Sequence, residues 1–438
     1  MTPASSLLLT DLYQFTMLQA YLDRGMTDTA VFEFYSRRLP EHRCFLLAAG
    51  LESALEFLES ARFTAEEVDW LASTGRFNRR FLDYVAEFRF SGEVHAMQEG
   101  TVFFPDEPVL RITAPLPEAQ LVETRLINLL QYQILVASKA ARSVLAAPGK
   151  LLVEFGLRRA HGAEAGLLAA RSAYLAGFAG SSNVLAEQRY GIPSFGTMAH
   201  SFILAHHDEE QAFADFALSL PHNVTFLIDT YDTEAGAEKV VHLAPRLKEQ
   251  GVTIRSVRLD SGDLADHARK VRRILDHGGL TEVGIFASGD LDEYALQELA
   301  SAPIGGFGIG TRLTTCADQP YLNCAYKLQE YAGLPRRKRS EGKATWPGRK
   351  QVYRTPEKDV LTLESDPQPG TPLLERVMAD GQRLRPAPDL DTTLRAHAAA
   401  QLAALPQALR RLEPGAVYEV EIAPALQQLA DRLDAADS

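Results

Sequence analysis

The sequence predicts an α/β fold built around a parallel sheet, together with a smaller α+β part. After Lys150, short apolar strands alternate with polar or glycine-containing loops and amphipathic helices, in at least five successive units. These strands are continuous apolar runs, which is typical of a parallel sheet that helices cover on both faces. The chain has 438 residues, more than one compact core usually holds. We therefore expect the sheet, open or closed into a barrel, to be accompanied by a second, smaller domain.

The segment before Lys150 has the mixed pattern of an α+β region. Apolar residues recur at helical spacing from Leu7 to about Arg24, and residues 27–36 then alternate like a strand. Three more helices are predicted at 50–62, 64–74 and 78–88, and a long helix opened by proline is predicted at 117–146. Short strands are predicted at 94–96, 102–104 and 109–112.

The strands of the parallel sheet are predicted to begin at Leu151, to include the run that ends at Phe195, and to continue with runs from Val224, Ile254, Gly284 and Gly306. Helices are predicted between them at 234–250 and 264–277. Ligands of such sheets meet the loops at the carboxyl ends of the strands. Beyond Thr315 follow a basic stretch at 335–350, strand-like segments and two terminal helices.

Composition and charge exclude several classes of protein. The formal net charge of −12 opposes binding to a nucleic-acid backbone unless a local basic patch overcomes it. Three cysteines without a CxxC pair suit a reducing compartment and no structural zinc. No signal peptide is apparent, and no run of apolar residues is long enough to cross a membrane. We expect a cytoplasmic protein without nucleic-acid or membrane partners.

Two of the strand-end loops carry basic side chains. Arg158 and Arg159 lie in the loop GLRRAHG after the first strand, where guanidinium groups suit a carboxylate or phosphate, although one of them could simply pair with a neighbouring acid. His200 and Ser201 follow the run that ends at Phe195. An imidazole there could act as base, acid or nucleophile, but a lone histidine is more often structural.

Two further loops carry acidic side chains. Asp229 ends the strand VTFLI and could hold a ribose hydroxyl or magnesium, whereas Asp232 is favoured as a helix cap. Asp263 is also a good cap. Arg258 and Asp260 share a face if the strand runs through them, and would then form an opposite-charge pair that binds an anion and a sugar hydroxyl.

The last two loops are rich in glycine. They are ASGD at 287–290 and GGFGIGT at 305–311. Glycines let backbone N–H groups approach a phosphate closely, and the helix N-terminus that follows adds a favourable dipole. One such loop is weak evidence because glycine also serves tight turns, but two on successive strands predict a phosphate site.

Seven motifs in this order resemble the nicotinate phosphoribosyltransferase family over most of the chain. They are TDLYQ at Thr10, FGLRRAHG at Phe155, FGTMAHSF at Phe195, DTYDT at Asp229, RLDSGD at Arg258, ASGDLDE at Ala287 and GIGTRLTT at Gly308. The resemblance implies an irregular α/β barrel at 147–320 and an α+β domain formed by residues 1–146 and 321–438. It also implies transfer of phosphoribose from phosphoribosyl pyrophosphate to nicotinate, with Mg²⁺ and with ATP hydrolysis as a coupled step.

The resemblance further implies roles for individual residues. His200 resembles the histidine that ATP phosphorylates, Asp229 is expected near the ribose hydroxyls, and Asp260 is expected beside the sugar phosphate. Substrate contacts are implied for Tyr13, Arg158, Ser182, Thr197, Ser201 and Arg258. A phosphate cradle is implied for Ser288, Gly289, Gly308, Gly310 and Thr311. Tyr13 resembles an aromatic that stacks on the pyridine ring of the neighbouring subunit, which implies a homodimer; no metal ligand is assigned.

Three other functions compete with this one. Relatives that use nicotinamide place an aspartate where Ser182 aligns, and an aspartate would repel a carboxylate that serine can bind. Quinolinate would need more positive charge for its second carboxylate, and its enzymes are shorter and lack ATP coupling. The basic stretch at 336–350 could bind nucleic acid, but it is more typical of a solvated hairpin, and in this family it suggests a lid over ATP or pyrophosphate.

Overall fold

The computed structural model describes residues 6–222, 224–413 and 417–436. Contacts within the chain divide it into two compact units. Unit 1 contains the residues up to Ser138 and from Tyr321 onward, and unit 2 runs from Lys139 to Pro320. Unit 1 is therefore built from both ends of the chain.

The first part of the chain forms α1 to α6 and β1 to β5. The helices are α1 Leu12–Arg24, α2 Leu51–Ser60, α3 Ala65–Ser73, α4 Arg79–Glu87, α5 Leu116–Leu121 and α6 Glu123–Ala146. The strands are β1 Thr29–Ser36, β2 Leu46–Leu47, β3 Glu93–Met97, β4 Val102–Phe103 and β5 Pro108–Pro115.

Unit 2 contains β6 to β11 and α7 to α14. Its strands are β6 Leu151–Glu154, β7 Gly180–Ser181, β8 Val224–Leu227, β9 Ile254–Leu259, β10 Gly284–Ser288 and β11 Gly306–Ile309. Its helices are α7 Ala163–Leu175, α8 Val184–Tyr190, α9 His200–Leu204, α10 Glu209–Ser219, α11 Thr233–Glu249, α12 Leu264–His277, α13 Glu293–Glu298 and α14 Thr311–Thr314.

The chain then returns to unit 1. It adds the strands β12 Cys324–Tyr331, β13 Leu334–Pro335, β14 Lys350–Arg354, β15 Asp359–Leu363, β16 Thr371–Pro372, β17 Leu374–Ala379, β18 Gln382–Arg383 and β19 Val420–Ile422. The helices of this part are α15 Arg395–Ala404 and α16 Pro424–Ala436, and a π-helical turn, Leu390–Leu394, precedes α15.

Each unit has its own sheet architecture. Unit 1 has a seven-stranded sheet in the order β13-β12-β1-β5-β3-β17-β18, in which β1 pairs antiparallel with β12, so both chain ends share one sheet. Unit 2 has a six-stranded sheet in the order β7-β6-β11-β10-β9-β8, and its pairs are parallel. The predicted α/β class, with an α+β part drawn from both ends, is confirmed.

Most of the parallel sheet is buried as its apolar strands predict, whereas β9 is buried only at Val257 and Leu259. Every residue of β8 and of β11 is buried, and the helices that follow the strands bury one apolar face. Phe213 of α10 packs on Phe226 of β8, with their ring centroids 4.9 Å apart. Because all six strands point the same way, their carboxyl ends lie at one edge of the sheet, and this edge receives the predicted loops.

The prediction of a strand that ends at Phe195 is wrong. Only an isolated parallel bridge joins Ser194 to Ser181, and the short β7 occupies the edge of the sheet instead. Pro193 interrupts this run and has no N–H to donate to a ladder. The backbone still makes two bonds there, from Ser181 N to Pro193 O and from Phe195 N to Ser181 O.

Two predicted helix boundaries also change. The long helix predicted at 117–146 is two helices, α5 and α6, which are separated at Val122. The break lies beside Glu123, whose Oε2 accepts hydrogen bonds from Gln14 Nε2 and Gln120 Nε2 at 2.9 and 2.7 Å. Helix α1 begins at Leu12 rather than near Leu7, because Asp11 is in an extended conformation that cannot continue a helix.

A buried carboxyl pair lies in unit 1. The side chains of Glu107 and Asp359 are fully buried, and Arg354 binds Asp359 through Nε at 2.9 Å. Glu107 Oε2 accepts a hydrogen bond from Phe104 N at 2.8 Å. Burial and the neighbouring Asp359 carboxylate hold the pKa of Glu107 well above its ordinary value.

Glu107→Gln is expected to make unfolding less sensitive to pH. Because the folded-state pKa of Glu107 is raised, its favourable contribution is complete at low pH and is lost as the pH rises from its unfolded value through its folded value. Glutamine cannot ionise, so the variant should melt about 2–4 °C above the wild type at pH 8, roughly the shift that 1 kcal/mol gives a unit of this size. Thermal melts at pH 5 and 8 measure this, with the exposed Glu357→Gln as the control. An equal loss of stability at both pH values would contradict it.

Candidate active site

An arginine on β9 links several strand ends of unit 2. Arg258 donates from Nε to Ser288 Oγ at 2.8 Å, from one terminal nitrogen to Thr197 Oγ1 at 3.1 Å, and from the other to Asp260 Oδ1 at 2.8 Å. Its guanidinium also lies over the Phe155 ring, 5.6 Å from the centroid. One planar guanidinium therefore contacts side chains from four different segments of unit 2.

Asp260 is a charged acceptor at the centre of this edge. Its Oδ1 also accepts a hydrogen bond from the Ser288 hydroxyl. Burial alone would raise the pKa of Asp260, but hydrogen bonds from Ser288 and Arg258, together with nearby His200, hold it below its ordinary value. Asp260 is therefore an anion at neutral pH, although it is half-buried.

Asp229 lies directly beside Asp260. Its Oδ2 accepts hydrogen bonds from Asp260 N at 2.9 Å and from Ser261 Oγ at 2.6 Å. Its Oδ1 is buried and has no hydrogen-bond partner in the described part of the chain. A buried carboxylate oxygen without a donor is costly, so this atom is suited to a cation or a ligand hydroxyl.

His200 lies beside Thr230 and Asp260. It is the first residue of α9; its Nδ1 lies 3.1 Å from Thr230 Oγ1, and its Nε2 lies 4.0 Å from Asp260 Oδ2. Its side chain is 41% exposed, so a ligand can reach the ring. Thr197 is half-buried beside Arg258, and Ser201 is exposed next to His200.

The glycines at this edge are required by close backbone approach. A Cβ at Gly289, where φ is +106°, would clash with the Asp260 carbonyl oxygen, and a Cβ at Gly308 would enter the Phe155 ring. At Gly310 it would lie 3.0 Å from Phe155 O. The glycine loops thus lie against the neighbouring loops, and the exposed Thr311 follows them.

The remaining predicted residues make no contact with Arg258 or Asp260 that the structure shows. Arg158 is exposed on a short 3₁₀ turn, Leu157–Arg159, and the partly buried Ser182 follows β7. Tyr13 lies in unit 1, where its side chain is exposed and its hydroxyl donates a hydrogen bond to Glu123 Oε2 at 3.3 Å. Asp232 and Asp263 are helix caps, as predicted, and accept from Ala235 N and Asp266 N at 2.8 and 3.0 Å.

Sequence reasoning missed several polar residues of this edge. Thr230 and Ser261 directly follow Asp229 and Asp260 and belong to the same motifs, but no role was predicted for either hydroxyl. Glu154 lies below the first loop, and an acid at the end of the apolar run LLVE was the signal that could have found it. Arg312 and Asp292 join the two glycine loops at 3.2 Å.

The basic stretch at 336–350 is partly neutralised in unit 1. Arg337 and Arg339 lie 3.1 and 3.5 Å from Asp434 of α16, and Arg337 also lies over the ring of Trp346.

In the residues that the structure describes, no group of three or more His, Cys, Asp or Glu side chains is arranged to hold a metal ion. Within the same residues, no helix is long and apolar enough to cross a membrane.

Comparisons with known proteins agree along the whole chain. Models of the nicotinate phosphoribosyltransferase N-terminal domain, family and C-terminal domain match residues 8–131, 151–333 and 347–430. The chain is 47% identical to nicotinate phosphoribosyltransferase pncB2 of Mycobacterium tuberculosis H37Rv, over 98% of this chain and 94% of the relative. It is 39% identical to nicotinate phosphoribosyltransferase of Bacillus subtilis, over 79% of this chain and 72% of the relative.

Solved structures share the fold. Human nicotinic acid phosphoribosyltransferase superposes with a TM-score of 0.87 at 32% identity, covering 97% of this chain and all of the human chain. Nicotinate-nucleotide pyrophosphorylase from Pyrococcus furiosus superposes with a TM-score of 0.75 at 25% identity, covering 92% and 96%. With three family models matching in order, and a relative 47% identical over nearly its whole length, this chain belongs to the nicotinate phosphoribosyltransferase family.

Proposed function

We propose that the protein joins nicotinate to the ribose of phosphoribosyl pyrophosphate, releasing pyrophosphate and forming nicotinate mononucleotide for NAD salvage. The pyridine nitrogen supplies the electron pair for the new bond to the anomeric carbon, and the bond from that carbon to pyrophosphate breaks. The observation that carries the proposal is the junction of Arg258, Asp260, Ser288 and Asp229 at the strand ends. It supplies a fixed cation bonded to an anion, and a second carboxylate that binds the backbone of that anion through one oxygen and leaves its other oxygen open.

The charged and polar groups of the two substrates can be matched to residues of the site by their charge and hydrogen-bonding character. Phosphate oxygens are acceptors, so we place them at the backbone N–H groups of the glycine loops, with Gly289, Gly308, Gly310 and Thr311 as the cradle. The ribose hydroxyls are donors and suit Asp229 and Asp260. The nicotinate carboxylate suits the exposed guanidinium of Arg158, and we assign the hydroxyl groups of Ser182, Thr197 and Ser201 to the same subsite. A serine at position 182 favours the acid over the amide.

Magnesium fits this site through Asp229. Magnesium is usually bound by one or two carboxylates together with substrate phosphates, and the buried Asp229 Oδ1 is available for such a contact. Asp229 would hold the ion with Asp260 beside it. When bound, the ion would neutralise charge that develops on the leaving pyrophosphate.

ATP is proposed as a co-substrate that phosphorylates His200. If Nδ1 donates its proton to Thr230 Oγ1, the lone pair is on Nε2, which becomes the nucleophile towards the γ-phosphorus. The bond from that phosphorus to the ADP oxygen then breaks. The Asp260 carboxylate, 4.0 Å from Nε2, would stabilise the positive imidazolium character of phosphohistidine.

We also propose a cytoplasmic homodimer in which Tyr13 reaches the partner's pyridine site. The exposure of Tyr13, with Leu9 and Leu12 exposed beside it, supports a surface that another subunit covers. Among the described residues, Cys44, Cys316 and Cys324 form no disulfide, as suits a reducing compartment.

The proposed function is tested by assaying the purified protein with phosphoribosyl pyrophosphate and magnesium. Nicotinate, nicotinamide and quinolinate are offered in parallel, each with and without ATP, and mononucleotide is measured by chromatography. We expect product from nicotinate, stimulated by ATP, and at least about 100-fold less from nicotinamide, as when an ionic contact worth about 3 kcal/mol is lost. Nicotinate mononucleotide at the level of a blank would refute the proposal.

A further inference from the structure

The glutamate at the end of β6 lies under three strand-end loops at once. The side chain of Glu154 is fully buried. Its Oε1 accepts a hydrogen bond from the Gly156 N–H and another from Thr314 Oγ1 at 3.2 Å, and its Oε2 accepts one from Ser181 Oγ at 2.6 Å. Its backbone carbonyl accepts a fourth from Ser182 N at 2.9 Å.

The side-chain donors Ser181 and Thr314 are 27 and 160 residues away from Glu154 along the chain, whereas Gly156 is two residues away. Gly156 begins the turn that carries Arg158, Ser181 precedes Ser182, and Thr314 ends the helix that follows the glycine loop. The fit is close, because a Cβ at Gly156 would overlap the Thr314 side chain and lie 2.8 Å from Glu154 Oε1. A displacement of any one loop would therefore leave a buried acceptor without its donor.

We propose that Glu154 is a positioning residue that fixes the carboxylate-binding loops, at 156–159 and 181–183, relative to the phosphate-binding loop at 308–314. The inference rests on the proposed function for the identity of the two ligands. Glu154 touches neither ligand; it acts through Gly156, Ser181 and Thr314. Losing it should weaken both binding subsites together, because one carboxylate holds both in place.

The test uses four variants of the full chain. Glu154→Ala removes the acceptors, whereas Glu154→Gln keeps one carbonyl oxygen that can still accept from Gly156 and Thr314. Ser181→Ala and Thr314→Val each remove one donor and leave the buried carboxylate in place. Glu107→Gln, which alters an equally buried carboxyl group in unit 1, is the matched control.

Steady-state kinetics should separate positioning from simple structural damage. Glu154→Ala is expected to lower kcat/KM at least tenfold and to raise KM for nicotinate and for phosphoribosyl pyrophosphate together, with Glu154→Gln intermediate. Ser181→Ala should raise mainly KM for nicotinate, and Thr314→Val mainly KM for phosphoribosyl pyrophosphate. Neither substitution should have a further effect in the Glu154→Ala background, because the shared partner is already absent.

Amide hydrogen exchange tests the same inference without turnover. Glu154→Gln should accelerate exchange in residues 155–160, 181–184 and 310–315, while the buried strands β8 and β11 keep wild-type protection. A kcat/KM within twofold of wild type for Glu154→Ala, or exchange raised evenly across unit 2, would overturn the proposal. If Glu154→Ala does not fold, Ser181→Ala and Thr314→Val decide it through their separate KM effects. A wild-type protein that makes no mononucleotide refutes the proposed function, and the exchange pattern then decides the role of Glu154 alone.

Discussion

His200→Ala is expected to abolish ATP hydrolysis and ATP stimulation while leaving weak mononucleotide synthesis. The substitution removes the proposed nucleophile but keeps Arg258, Asp260 and Ser288, whose hydrogen bonds to one another do not involve the imidazole. The rate of ATP hydrolysis should fall by at least about 100-fold, the lower end of what a positioned catalytic group contributes. Phosphate release from ATP and mononucleotide formation are measured on the same preparation.

His207→Ala is the control for this prediction. His207 is an exposed histidine seven residues along the same segment, so its loss tests the effect of removing an imidazole away from Asp260. Wild-type protein incubated with γ-labelled ATP should also retain an acid-labile, base-stable label that His200→Ala lacks. Unchanged ATP hydrolysis in His200→Ala would remove this residue from its proposed role.

Arg258→Ala is expected to reduce kcat/KM for mononucleotide synthesis by about 30-fold to more than 1,000-fold. Truncating one partner of a buried, hydrogen-bonded charge pair typically costs about 2–5 kcal/mol, because the other charge is left without its partner. The Arg258 side chain is 15% exposed and holds Thr197, Asp260 and Ser288 simultaneously. Both the phosphate side and the ribose side of the site should therefore lose their geometry.

Two further variants give this prediction its specificity. Arg258→Lys keeps the charge but presents a single ammonium group in place of the planar fork, so it should recover only part of the activity. Arg255→Ala changes the neighbouring exposed arginine of β9, which bonds only to His222 O within the described residues, and should stay within about twofold of wild type, as surface substitutions usually do. Equal activities of Arg258→Ala and Arg255→Ala would contradict the role of Arg258.

The unit 2 strands show where local sequence was sufficient. Val224, Ile254, Gly284 and Gly306 each begin a strand at the predicted residue. For β8 and β11, which are buried throughout, the continuous apolar run was the signal. In β9 polar residues interrupt the run, and only Val257 and Leu259 are buried. Helix α12 also has its predicted bounds, with Asp263 as its cap. The strand predicted to end at Phe195 does not form. Pro193 lies in this segment and has no N–H to donate to a ladder.

The site shows where local sequence was insufficient. Loop chemistry predicted that Arg258 and Asp260 would pair, and the structure places them 2.8 Å apart. Sequence could not indicate that the same guanidinium would reach Thr197 and Ser288, which are 61 and 30 residues away along the chain. The ligand roles of these residues remain predictions, as does the contribution of Tyr13 to a second subunit.

By itself, the sequence determined the fold class, the order of the strand-end loops and the family, because apolar periodicity and short motifs are properties of consecutive residues. Only the tertiary structure decided which loops share partners. Glu154 is a single acid in an apolar strand until Gly156, Ser181 and Thr314 are brought around it. Hydrogen bonds depend on distance in space, and three parallel strand ends meet at one edge only after the whole sheet has formed.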